Sequence, residues 1–346
     1  MSGRGGHTIR KDIRRVIRRV LRRAGGLRSS STARWVAVEE QPRSPQPLED
    51  FRLFAIVCAW MEGDVIGATV ANAFAQGCER VYLVDNASPD DTVEAAVAAG
   101  AVLAESFSTD RFEETLRFDI MNRVVREVSD AETDEHIWWL WLDADEFPHG
   151  PGGATVREHL TQLDRRFRIV GSRFINHFPD RQPAYVRGFH PLDFQSLGEE
   201  HTQGFCGHRK HSLQRYDRGR PPITCDLGIH RALSDERPLL EPTEPIFLHH
   251  FPYRDPTATR HRLATLCGVD DDGSSRVRED DRAVDGMVSR FDTLDAVYRG
   301  DWANVRNYRN DGAWSVARPV PWESLCSPED LTVKRWYTLD DTNTGV

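Results

Sequence analysis

Residues 137–148 read Ile-Trp-Trp-Leu-Trp-Leu-Asp-Ala-Asp-Glu-Phe-Pro, an unbroken apolar run that ends in three carboxylates. Ile137–Leu142 is short and aromatic-rich, without a polar break, so it reads as a strand buried on both faces. Pro148, His149 and Gly150 are expected to stop it. In open α/β sheets, ligands sit beyond the carboxyl ends of the strands. Asp143, Asp145 and Glu146 fall there. Acids packed together repel unless a cation or protons neutralise them. A hard divalent metal with oxygen ligands is the natural partner, and it would bring a phosphate with it. The competing reading is a solvated Asp-rich turn after a core strand.

Upstream, Phe51–Ala59 is a second buried-type strand. Asp64 is placed to cap a helix over Val65–Gln76, which Gly77 ends. Arg80–Val84 is the next strand, followed by the turn-rich loop Asp85-Asn86-Ala87-Ser88-Pro89-Asp90. A helix over 91–99 closes at Gly100, and Ala101–Ala104 is a short strand. The spacing of Phe112, Leu116, Ile120, Val124 and Val128 predicts another helix. This β-α alternation implies an α/β fold with a mostly parallel central sheet flanked by helices. Glu62 and Asp64, then Asp85 and Asn86, then Asp143 and Asp145 all follow strands and share one sheet edge. No Gly-x-Gly-x-x-Gly or Walker-type loop occurs, which disfavours dinucleotide oxidoreductases and P-loop NTPases.

Three stretches resemble the nucleotide-sugar transferase (GT-A) fold of glycosyltransferase family 2. They are VCAWMEGDVI, YLVDNASPDDT and WLDADEF, and the last matches that family's Asp-x-Asp. The spacing agrees, about 27 residues from Cys58 to Asp85 and about 58 from Asp85 to Asp143. The DADEF form is most similar to a bacterial subgroup that continues to a basic residue, a lone His and a late His-aromatic pair, here Lys210, His230 and His250-Phe251. The resemblance covers 51–150 well and 165–265 loosely. It implies a UDP- or GDP-type sugar donor bound by Glu62, Asp85, Asn86, Asp143 and Lys210. It also implies Mn²⁺ or Mg²⁺ held by Asp143, Asp145 and His250. Trp60-Met61-Glu62 departs from the family's aromatic-Asn-Glu, so a polar contact is missing at Met61. On this basis 1–50 is a basic arm and linker, 51–150 the nucleotide-sugar half, 151–265 the acceptor half and 266–346 a helical or irregular extension.

Transfer with inversion needs a base for the acceptor hydroxyl, typically a carboxylate. Glu199 and Glu200 are the preferred candidates, with Asp235-Glu236, Asp193 and Asp226 as rivals. Solvated loop residues are the plainer reading of Glu199 and Glu200. The eight His between 177 and 250 define no ligand set by spacing, and His250, after the strand-like Ile246–Leu248, is the exception. Trp302, Trp314, Trp322 and Trp336 could stack on sugars, although core packing is the simpler role. Asp270–Asp272 reads as a polar loop with no metal.

The chain has 346 residues, 39% of them hydrophobic, and a net charge of −9. Residues 1–35 carry ten Arg and one Lys against one Asp, a local +10 that leaves −19 for the rest. An acidic body argues against nucleic acid as partner. The six cysteines form no CxxC pair, so a reducing, cytoplasmic setting is the expectation. Ile9, Ile13, Val16, Ile17, Val20 and Leu21 share one helical face in 9–23, with Arg and Lys opposite. That pattern suits an anionic membrane surface at the inner face, or a helix packed on the protein's own body. Gly25–Ser31 and Gln41–Glu49 read as linkers, so the folded body should begin near Phe51. The leading function is a glycosyltransferase acting on a glycan, lipid or small-molecule acceptor. A silent nucleotide-sugar-binding scaffold and a sugar nucleotidyltransferase are the alternatives. The latter lacks its usual Gly-rich basic loop after the first strand. Deleting 1–35 is expected to abolish co-flotation with anionic vesicles, and unchanged flotation would reject the membrane arm.

Overall fold

Four apolar segments become parallel strands, Arg52–Ala59 (β1), Arg80–Asp85 (β2), Val102–Ser106 (β3) and His136–Asp143 (β4). They belong to a computed structural model that describes residues 36–109, 113–200, 210–226, 228, 229, 231–267, 282–308 and 314–331. The 9–23 arm, Gly25–Ser31, Phe112, Arg209, His230, Asp270–Asp272 and Trp336 lie outside the described residues. β1 sits between β2 and β4, and β3 follows β2 at the edge. The register places Cys58 beside Asp143 and Ala59 beside Asp85, so the acid-bearing strand ends are adjacent.

Alternation sends the two faces of these strands to different helices. Leu53, Ala55, Val57, Trp138, Leu140 and Leu142 pack with Ile66, Val70 and Ala73 of the helix Ile66–Ala75 (α1). Thr92–Ala98 (α2) lies after β2. Phe54, Ile56, Trp139 and Trp141 pack with Phe118, Met121, Val124 and Val125 of Glu114–Ala131 (α3). The inward stripe of α3 is rotated from the expected one, and Leu116 is 37% exposed. Val156–Gln162 (α4) adds Val156 and Leu160 to the first face, behind a capping box of Thr155 and Glu158.

The second half adds Glu146–His149 (β5), Ile169–Phe178 (β6), Leu197–Glu200 (β7), Lys210–Asp217 (β8), Ile246–His250 (β9) and Val320–Pro321 (β10). β8 runs antiparallel to both β4 and β6, and β7 antiparallel to β6. β9 is parallel to β6 and antiparallel to β5. The ten-stranded sheet, ordered β10-β7-β6-β8-β4-β1-β2-β3 with β9 and β5 alongside, is therefore mixed. Parallel pairing is confined largely to the β-α-β half, where crossover helices exist to support it. Pro148 does not stop the chain. After Ala144 and Asp145, β5 begins, and among the described residues it pairs with β9 alone, which spares Pro148 a second ladder.

Two expectations fail for local reasons. The helix α1 starts after Val65 with no side-chain cap, because the Asp64 carboxylate is taken by Arg254. The stretch read as a linker is tied to the body. Val36–Glu39 pairs in parallel with Leu239–Pro242. The Gln46 N–H donates to Asp164 at 2.8 Å, and the Asp164 N–H donates to the Gln41 side chain at 2.8 Å. Among the described residues no helix is long and apolar enough to cross a membrane.

Trp139 is 1% exposed, donates from Nε1 to Ser129 Oγ at 2.9 Å, and meets Phe54 edge-on at 5.5 Å. Trp139→Ala should cost about 3–5 kcal/mol in urea denaturation. Trp139→Phe, which keeps most of the volume, should cost distinctly less.

Candidate functional site

The carboxyl ends of β1 and β4 open on a cavity of about 170 Å³. Its walls include Trp60, Glu62, Asn86, Phe107, Glu113, Arg117, Asp143, Asp145, His250 and Arg262. Most of the expected site residues converge there. Asp143 continues the face of Ile137, Trp139 and Trp141, which α3 covers, and so it meets Arg117 of that helix. Arg117 Nη1 lies 3.0 Å from Asp143 Oδ1, a charge contact without hydrogen-bond geometry. The other oxygen accepts from Lys210 Nζ at 3.0 Å. Burial works to raise the Asp143 pKa, but Lys210 and Arg117 outweigh it and hold the group ionised.

The fold sets Lys210 against the acids. Lys210 opens β8, is 3% exposed, and donates to Asp143 and to Glu146, which is itself fully buried. It is an internal counter-ion beneath the acids and is not among the residues lining the cavity. Burial raises Glu146, against the opposing pull of Lys210. Asp85 is 2% exposed, and both its oxygens accept from the Ser88 N–H at 3.1 and 3.3 Å. It builds its own loop, and Asn86 is the residue of that pair on the cavity wall.

Three consecutive backbone N–H groups after β1 are received by the Asp85–Thr92 loop. Met61 donates to Ser88 Oγ at 3.0 Å, Glu62 to Thr92 Oγ1 at 2.9 Å, and Gly63 to Asp90 Oδ2 at 3.2 Å. Met61 and Ala87 sit at φ 54° and 47°. Asn tolerates this left-handed region better than Met does, which gives a physical sense to the Asn that the resemblance leads one to expect at 61.

Arg254, Arg262 and Asn176 were not singled out in the sequence. Arg254 is fully buried, and its guanidinium reaches Glu62, Asp64 at 2.8 and 3.2 Å, Asp145 at 3.3 Å and the Phe251 carbonyl at 2.7 Å. Arg262 donates to Glu62 at 3.2 Å and to the Pro252 carbonyl at 3.1 Å. Arg117 was legible in principle, since it shares the buried stripe of Met121 and Val124 at i, i+4 and i+7. Burial again opposes ionisation of Asp145, but His250, Arg254 and Arg262 prevail and lower its pKa.

His250 Nδ1 lies 2.6 Å from Asn176 Oδ1 and so donates to it. That bond fixes the ring and directs Nε2 to Asp145 Oδ1, 3.5 Å away. A proton or a metal ion between the two would satisfy both. Imidazole with carboxylates is a donor set that Mn²⁺ accepts. Among the described residues no group of three His, Cys, Asp or Glu side chains is placed to hold a metal ion. Of the three expected ligands, Asp145 and His250 face each other directly, and Asp143 lines the same cavity.

The two candidate bases separate. Glu200 is held by Arg173 through paired hydrogen bonds of 2.9 and 2.8 Å. Glu199 stands opposite Asn176 in register and thus on the face that carries His250. Glu236 is engaged by Arg168 and Arg220. His149, His177 and His249 form a buried chain, with ring nitrogens 3.1 and 2.8 Å apart, and burial depresses His177 to about 3.

No family model matches the sequence, and no curated protein matches it. Among solved structures the chain is similar to glucosyl-3-phosphoglycerate synthase from Mycobacterium tuberculosis in complex with Mn²⁺, UDP and glucosyl-3-phosphoglycerate. That match has 11% identity and a TM-score of 0.27, over 79% of this chain and 91% of that one. Against the same synthase with Mg²⁺ and UDP the match spans 43% of that chain and 36% of this one, at 14% identity and a TM-score of 0.24. A mannosyltransferase from Pyrobaculum calidifontis in complex with GDP-Man and Mn²⁺ is 17% identical over 58% of this chain and 52% of that one, with a TM-score of 0.28. Likeness at this level does not bear on the chemistry, which the residues of the cavity must supply.

Burial raises Glu62 from 4.5 to about 7, with Arg254 and Arg262 pulling the other way. A folded value above the unfolded one means a contribution that is complete below 4.5 and lost as pH rises through 7. Glu62→Gln should therefore gain stability relative to wild type between about pH 5 and pH 8. Thermal melts whose difference stays constant across that range would contradict the assignment.

Proposed function

We propose that the protein is a metal-dependent glycosyltransferase. It would move a sugar from a UDP- or GDP-type donor to a glycan, lipid or small-molecule acceptor, with inversion. One observation carries this reading. Asp143, Asp145, His250 and Asn86, drawn from three separated parts of the chain, line a single cavity at the carboxyl edge of the parallel strands. Asp143, Asp145 and His250 would hold Mn²⁺ or Mg²⁺, and such an ion, when bound, stabilises the charge of a departing diphosphate as a Lewis acid.

The remaining roles belong to the chain. Asn86 offers an amide to the nucleoside. Trp60 and Phe107 line the cavity, where they would shield the anomeric carbon from water. Arg254 favours the ionised forms of Asp145 and Asp64 and ties Glu62 in position. Glu199, on the His250 face, would take the proton of the acceptor hydroxyl at its carboxylate.

One observation favours a second reading, that of a nucleotide-sugar-binding protein without turnover. Asp143 and Asp145 already have Lys210, Arg117 and Arg254 as partners. A thermal-shift screen of UDP-, GDP- and TDP-sugars with and without Mn²⁺ should reveal one donor class whose effect grows with the metal. Asp145→Ala should then lower metal-stimulated turnover by about a hundredfold or more, as expected for losing several kcal/mol of transition-state stabilisation, with the fold retained. Donor binding with no hydrolysis or transfer at any metal concentration would establish the silent reading instead.

A further inference from the structure

Arg254 and Arg262 commit their guanidinium groups to protein acceptors, through contacts to Glu62, Asp64, Asp145 and the Phe251 and Pro252 carbonyls. Arg117 does not. It lines the same cavity with a side chain only 16% exposed. Among the described residues its one ion contact is to Asp143, and its buried Nε–H has no hydrogen-bond partner. A guanidinium carries five N–H donors in a planar fork that matches phosphate oxygens. Arg117 is therefore a cavity-wall cation whose donor capacity is largely unspent. Asp143 Oδ1, which faces it, is also buried with no hydrogen bond among the described residues.

We propose that Arg117 is a diphosphate-binding residue, a fixed cation that grips the donor's phosphates beside the Asp143–Asp145–His250 cluster. The inference rests on the nucleotide-sugar reading and deepens it. A nucleoside diphosphate brings several negative charges to a cavity already lined by Glu62, Glu113, Asp143 and Asp145. A divalent ion held between those acids would offset part of that charge. A guanidinium a few ångströms away takes a further share, with hydrogen bonds that need no metal. Part of the donor affinity should then survive metal removal. The rigid origin of Arg117 on α3, which Phe118, Met121 and Val124 anchor to the sheet, holds the fork in place before the ligand arrives.

The test uses the full chain with inorganic pyrophosphate as probe, by calorimetry in EDTA. Wild type should bind, and Arg117→Met should bind about ten- to a hundredfold more weakly, the worth of charge-assisted hydrogen bonds. Arg117→Lys, a point charge without the fork, should fall between them. Mn²⁺ binding without phosphate, read by electron paramagnetic resonance, should persist in Arg117→Met. Equal pyrophosphate affinity in wild type and Arg117→Met would overturn the proposal. So would loss of Mn²⁺ and pyrophosphate binding together, which would make Arg117 only a support for Asp143. If UDP and GDP bind solely with Mn²⁺ and all Arg117 variants behave alike, this inference fails and the transferase reading stands. If wild type binds neither pyrophosphate, UDP nor GDP with or without Mn²⁺, both fall.

Discussion

Charge neutralisation inside the protein is the constraint on which the structure depends. Five carboxylates, those of Glu62, Asp64, Asp143, Asp145 and Glu146, gather within or beneath one sheet edge. Each is met by a cation from the chain, from Arg254, Arg262, Arg117 or Lys210. Removing one partner of such a buried pair leaves an uncompensated charge and typically costs about 3–5 kcal/mol. Arg254 carries the most, because it joins the loop after β1, the turn after β4 and the segment after β9. Through Arg254 and Arg262 the geometry of the cavity depends on ion pairs between parts of the chain more than a hundred residues apart.

That arrangement explains what could be read in the sequence. The strands Arg52–Ala59, Arg80–Asp85 and His136–Asp143 announce themselves through unbroken apolar runs, and the acids at their ends are local to those runs. The positive partners are not. Arg254 and Arg262 sit in a polar stretch where nothing local marks them as buried. Lys210 looks like any exposed base before a strand, and only the β4–β8 pairing places its amine beneath Asp143. The clustered acids call for positive charge, and Arg117, Lys210, Arg254 and Arg262 bring it from elsewhere in the chain. Asp64 shows the same limit: as a helix cap it satisfied every local rule, and a distant guanidinium claimed it.

The mixed sheet divides the labour. The parallel half supplies the acid-bearing strand ends, and the antiparallel half supplies Lys210, Asn176 and His250 through β8, β6 and β9. Strand β4, paired with β1 on one side and β8 on the other, is where the two contributions meet. Glu199 and Glu200, adjacent in sequence, are parted by the pleat of β7, so only one shares the face of His250. Side-chain alternation, invisible until the pairing is known, separates them.

The hydrogen bonds that bind Met61, Glu62 and Gly63 to Ser88, Thr92 and Asp90 have a consequence for how such a loop motif is understood. Its hydroxyls and its second carboxylate are occupied as carpentry, fastening one rim of the cleft to the next. A chain carrying this motif advertises a rigid frame as much as a contact surface. Exchanging Ser88 or Thr92 would loosen the neighbouring loop at a distance, misaligning groups that those residues never touch.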